Sequence, residues 1–147
     1  MRRYAITHQT PAGTNLTILC LVGVATTRGR IYDIVIGSDA TPADIATEFN
    51  LIRGTVSGTG TGVTPRALDP GDPAALLAGE GGTFATQTKT ASSDMLQIAL
   101  NQRATFRWVA APDGEIIVPA TADNWVGIES IGSGGTPNIN ATIHYLE

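Results

Sequence analysis

The residues able to do chemistry are few and scattered. Cys20 is the only cysteine, so no intramolecular disulfide can form, and it lies inside the apolar run 16–25. No His or Lys stands near it in sequence to lower its pKa, so it reads as a buried, inert thiol. The two histidines, His8 and His144, sit near opposite ends of the chain and fit no H-x-H, E-x-x-H or C-x-x-C spacing. A metal needs several ligands at compatible spacings; these two read as separate imidazoles, unless pairing of the first and last strands brings them together. Ser133, in Gly132-Ser133-Gly134-Gly135, lacks the strand-to-helix setting that exposes a nucleophile, and a hairpin turn accounts for its glycines. The glycine-alternating stretch 58–62 has no lysine and no helix after it to cradle a phosphate. Asp69-Pro70-Gly71-Asp72 could clamp a cation or supply an acid and a base, but turn and helix-cap chemistry explains the pattern better. Lys89, the only lysine, falls in the Thr-rich run 83–90, which reads as an edge strand or a solvated arm with the lysine guarding it against pairing. No catalytic group, metal site or cofactor is assigned.

Two groups of side chains point to binding rather than catalysis. Arg103 and Arg107 flank Phe106 and Trp108, and arginine beside aromatic residues is enriched where protein surfaces meet; a half-exposed strand carrying a stacked arginine fits equally well. Met1-Arg2-Arg3-Tyr4 is a basic start to an acidic chain. Arg2, Arg3 and Tyr4 could lie over an acidic partner and contribute orientation and on-rate, or be no more than a solvated end. Trp108 and Trp125 also offer rings that could stack on sugars, the basis of an alternative reading as a carbohydrate-binding or tail-adhesin module.

The rest of the chain must position these groups. Its 147 residues fit one domain, 1–147, large enough to bury a core unaided. Charged residues make up 15% against about 25% in average globular chains, which implies a weakly charged surface. The net charge of -4 gives no basic footprint for nucleic acid. The run 16–25 is too short to cross a bilayer and no cleavage pattern follows it, so the expectation is a protein made in a reducing cytoplasm without a membrane partner.

Periodicity is two rather than 3.6. Apolar and polar residues alternate through 139–145, and again through 104–109, with Phe106 and Trp108 on one face. Pro112-Asp113-Gly114 is a turn signal, which predicts a hairpin between 104–109 and 115–118. Strand composition also marks 4–9, 16–25, 30–37, 47–56 and 95–101, although the last fits a short helix too. The apolar run of Ile31, Tyr32, Ile34, Val35 and Ile36 predicts a central strand covered on both faces. Residues 126–131 are expected to pair with the C-terminal strand. Thr41-Pro42-Ala43-Asp44 and 72–79 carry cap-then-proline signals for two short helices. Residues 57–73, rich in Gly and Pro, read as an extended crossing between sheets. Together these elements predict an all-β protein, an antiparallel β-sandwich of jelly-roll or Greek-key type with one or two short helices.

Residues 30–44 (RIYDIVIGSDATPAD), 67–75 (ALDPGDPAA) and 101–112 (NQRATFRWVAAP), with a strand running to Glu147, resemble small structural proteins of tailed bacteriophages. Within that group the chain is most similar to head decoration or cement proteins. The resemblance implies a non-enzymatic virion protein on the capsid surface that assembles as a homotrimer and binds the major capsid protein.

Overall fold

The computed structural model describes residues 1–133 and 137–147, leaving aside the side chains of Thr83 and Ser133. In chain order the strands are β1 (Arg3–Pro11), β2 (Leu16–Val22), β3 (Gly29–Asp39), β4 (Ala46–Val56), β5 (Thr59–Val63), β6 (Arg66–Ala67) and β7 (Ala78–Ala85). They continue with β8 (Thr88–Lys89), β9 (Leu96–Asn101), β10 (Phe106–Val109), β11 (Ile116–Val118), β12 (Trp125–Ser133) and β13 (Asn138–Leu146). Every pairing between them is antiparallel, and two sheets pack face to face. Sheet A runs β10-β3-β13-β1-β6, with β11 also on β3; sheet B runs β5-β7-β2-β12-β4-β8, with β9 also on β4.

Alternation sorts the side chains. Tyr4 and Ile6 of β1, Ile139, Ala141, Ile143 and Tyr145 of β13, and Ile31, Ile34 and Ile36 of β3 point inward from sheet A. Leu19, Leu21, Phe49, Leu51, Val126 and Ile128 meet them from sheet B. Each such aliphatic contributes roughly 1.5–3 kcal/mol by leaving water. Tyr4 and Tyr145, cross-strand partners, stack with ring centroids 5.6 Å apart at the floor of this core.

A second, smaller apolar cluster lies on the opposite face of sheet B: Cys20, Val22, Ile52 and Trp125, with Phe84 against them. It arises because β2 is apolar at every position from Ile18 to Val22, so the alternation that sends Leu19 and Leu21 inward sends Cys20 and Val22 outward. Trp125 is fully buried there and donates its indole N–H to the carbonyl of Val56 at 2.9 Å. Burial pushes the Cys20 thiol well above its ordinary range, as an inert thiol requires.

Four expectations fail, each for a tertiary reason. Among the described residues there is no helix. At 41–44 the buried Gln102 takes over the capping work: its Oε1 accepts from the Ala43 amide at 2.9 Å while its Nε2 donates to Thr47 Oγ1. At 72–79 the Leu76 and Leu77 amides donate to the Glu147 carboxylate at 2.8–3.1 Å, and buried Leu77 is drawn into the core as the chain enters β7. The predicted 104–118 hairpin does not form either, since β10 and β11 each pair with β3 instead of with one another. β12 does not join the C-terminal strand: it pairs with β2 and β4 in the other sheet, and the intervening Gly134 and Gly135 lie outside the described residues. Finally, β3 is covered on one face only. A register shift opposite His144/Tyr145 leaves Tyr32 and Asp33 together on the outer side, so Ile31 and Ile34 both point inward.

The crossing over 57–73 is as expected, with β5 in sheet B and β6 in sheet A. Residues 96–101 are strand. A Cβ on Gly54 would stand 2.2 Å from both the Thr88 carbonyl oxygen and the Trp125 indole nitrogen, whereas a Cβ on Gly62 would meet nothing within 4 Å. Gly54→Ala is therefore expected to cost about 1–3 kcal/mol through overpacking, with Gly62→Ala neutral or slightly stabilising; urea midpoints of the two variants check this directly.

Candidate interaction surface

The outer face of sheet A collects the side chains that alternate with its core. From β1 come Arg3, Thr7 and Gln9, from β13 Asn140, Thr142, His144 and Leu146, and from β3 Tyr32, Asp33 and Asp39. Hydrogen bonds hold much of this face in place. Thr142 and Thr7 hydroxyls pair at 3.2 Å, and the Asp39 carboxylate accepts from Gln9 Nε2 at 2.5 Å and from Asn140 Nδ2 at 3.2 Å.

At its centre Asp33 is almost entirely covered although it carries a charge. Arg107, opposite Val35 on β10, reaches across to it with a two-pronged contact, Nε to Oδ1 at 3.0 Å and Nη2 to Oδ2 at 2.8 Å. This planar fork suits a carboxylate better than any other side chain. His144, directly cross-strand, places Nδ1 3.3 Å from Oδ2 without the alignment of a hydrogen bond, and its ring stacks on Tyr32 at 6.0 Å. The Arg107 hydrogen bonds hold the Asp33 carboxyl below the usual carboxylate range, outweighing burial, which pushes the other way. Beyond Tyr32 a shallow depression is lined by Arg3, Tyr32, Glu115 and Leu146, and Arg30 pairs with Glu115 at 3.0 Å.

Of the six residues singled out in the sequence, two reach this outer face and four do not. Arg3 and Arg107 reach the same outer face, joined through Tyr32, His144 and Asp33. Arg103 lies in the β9–β10 connection, exposed, with its Nε 3.4 Å from the Pro42 carbonyl oxygen, so the two arginines of the 103–107 segment serve different partners. Trp108 faces inward at the level of Ile34 and packs against the core. Tyr4 is core, not surface: its ring is buried against Tyr145 and its hydroxyl donates to the Pro73 carbonyl. Arg2 exchanges backbone hydrogen bonds with Glu147 and its guanidinium lies 3.8 Å from Asp72, so the basic start is tied to sheet A as a continuation of β1 rather than reaching out as an arm.

Three further readings meet the structure, and the histidines are separate as expected. The first and last strands do pair, but His8 lies on the inner side, against Gly81, while His144 lies on the outer side, so the histidines cannot share a ligand. Trp125 is sealed in the second cluster and offers no platform for a sugar. Lys89 does lie on an edge strand, β8, but its side chain turns back to contact the buried Glu129 rather than standing out along the edge. Tyr32 and Asp33 were not singled out as site residues in the sequence, and His144 was considered there only as a metal ligand. One signal was present: an aspartate inside an apolar strand demands a partner, though nothing in the spacing names residue 107. Compared with known proteins, the chain matches no family model, no curated protein and no solved structure.

Because the folded-state pKa of Asp33 is depressed, its ion pair contributes stability above the unfolded carboxylate pKa and loses it as pH falls through the folded value. Arg107→Gln is therefore expected to unfold at lower urea than the parent at pH 7, and the gap should close in acid once Asp33 is protonated in both proteins. Urea titrations across that range, with an unchanged gap as the contrary result, test the assignment.

Proposed function

We propose that this chain is a capsid decoration or cement protein of a tailed bacteriophage, a non-enzymatic virion component that assembles as a homotrimer and binds the major capsid protein. The observation that carries the reading is the strand order. Set aside β5 to β8, which form an insertion, and β11, and the remaining strands run β1-β13-β3-β10 in one sheet and β2-β12-β4-β9 in the other. We read this order as jelly-roll wiring, with the first and last strands side by side and the remaining strands crossing between the sheets except where β4 and β9 pair; viral capsid and lectin domains use such a roll.

The outer face of sheet A supports the same reading from a different direction. Many of its polar side chains, Thr7, Gln9, Asp33, Asp39, Arg107, Asn140 and Thr142, are bonded to one another before any partner arrives, so less side-chain freedom remains to be lost on docking, which suits a rigid neighbour such as a capsid shell. Arg3 and Tyr32 at one end and Arg107 at the other bracket the proposed contact. The lectin-like alternative draws no support from the tryptophans, because Trp125 is sealed and Trp108 is turned to the core.

Native mass measurement should give three chain masses. Purified heads lacking the protein should carry it down on sedimentation, and the double variant Arg3→Ala/Tyr32→Ala should weaken that binding at least tenfold while leaving the urea midpoint close to that of the parent. A folded protein that stays in the supernatant with every shell tested overturns the capsid role.

A further inference from the structure

We infer that Lys89 and Glu129 form a covalent cross-link site, at which the lysine Nζ condenses with the glutamate side-chain carboxyl to give an intramolecular amide joining β8 to β12. The inference stands apart from the capsid reading and rests on the outer face of sheet B.

Lys89 is the only lysine of the chain, and its long side chain is turned back over β4 onto Glu129, with which its Nζ is in direct contact. The same nitrogen donates to the Asn15 carbonyl at 2.7 Å, which fixes where it points. Glu129 is buried, with Thr17 and Asn50 as cross-strand neighbours on either side. Two positions along β12 lies Gly127 and two more Trp125, in the apolar cluster of Cys20, Val22 and Ile52. A charged pair at such a place loses nearly all hydration on Glu129 and part of it on Lys89, whose side chain stays 32% exposed, and proton transfer from ammonium to carboxylate removes both charges at once. Burial already pushes the Lys89 amine down from its ordinary value.

A second observation favours the neutral pair. Asn50 Oδ1 is buried and has no donor among the described residues, while its Nδ2 is committed to Asp94 Oδ1 at 3.1 Å. Its cross-strand partner is Glu129, whose carboxyl, if it took the lysine proton, would carry an O–H, the kind of donor this oxygen lacks. In the neutral state the lysine nitrogen has a free electron pair beside an un-ionised carboxyl carbon. Attack forms the Nζ–Cδ bond, the Cδ–OH bond breaks, and the hydroxyl leaves with one amine proton as water. The step is redox-neutral and requires no co-reactant; holding the two groups together supplies the effective concentration that free amine and acid lack.

The product would anchor the weakest strand of sheet B. β8 has two ladder pairs with β4, and it closes the insertion that covers Trp125. With one cysteine in the chain, no disulfide can do this.

Denaturing mass spectrometry of the full chain is expected to read about 18 Da, one water, below the sequence mass. Succinimide formation at Asp113-Gly114 gives the same loss, so the location is read by trypsin: the cross-link predicts one branched peptide joining 67–103 to 108–147, uncleaved after Lys89. Lys89→Arg, which keeps the charge and cannot condense, should restore the full mass and lower the melting temperature. A parent protein of full sequence mass, or one whose denatured Lys89 reacts fully with an amine reagent, overturns the inference and leaves an ion pair.

Discussion

Nine consecutive residue pairs between β1 and β13 are the constraint on which the rest of the structure depends. They zip the two ends of the chain into the middle of sheet A, with Tyr4 against Tyr145 and Ile6 against Ile143, and β3 continues the ladder on the other side of β13. Because side chains alternate with a period of two, a slip of one residue would turn both tyrosines and the three isoleucines Ile6, Ile139 and Ile143 out to solvent, so the buried face specifies the register strongly. The ends then do further work. Arg2 and Glu147 extend the ladder by two backbone hydrogen bonds, and the Glu147 carboxylate holds the Leu76 and Leu77 amides, which settles the path of the crossing that brings the chain back into sheet B.

The irregularity in β3 matters as much as its regular part. If β3 alternated without interruption, Ile31 and Ile34 could not both face the core. The bulge places Tyr32 and Asp33 together outside, and it is this doubled position that stacks Tyr32 on His144 and aims Asp33 at Arg107. Bulges commonly re-aim a side chain in this way. One local backbone adjustment thus serves both the packing of the core and the order of the surface above it.

On the other sheet the constraint is the apolar excess of β2. A strand with both faces hydrophobic needs cover on both, and the sandwich core supplies only one. The segment from β5 to β8 supplies the other, bringing Phe84 over Cys20, Val22, Ile52 and Trp125, with Gly54 leaving room for the indole. The Lys89–Glu129 contact lies beside this cluster, so the only lysine is spent on the inside of a covered face.

The all-β class, the strands read at 4–9, 16–25, 30–37, 47–56 and 95–101, of which the second ends at Val22 and the last begins at Leu96, the buried thiol and the crossing over 57–73 were legible in the sequence, because each depends on alternation or composition within a few residues. Partner choice was not. β10 and β11 look like a hairpin locally, yet β3 offers both an edge to pair with, and β12 looks like the neighbour of β13 but completes the other sheet. The cap signals at 41–44 and 72–79 fail because Gln102 and Glu147, distant in sequence, satisfy the amides that a helix would otherwise leave free. Asp33, Tyr32 and His144 converge for the same reason: strand pairing brings together residues more than a hundred positions apart, and local sequence carries no record of which strands will meet.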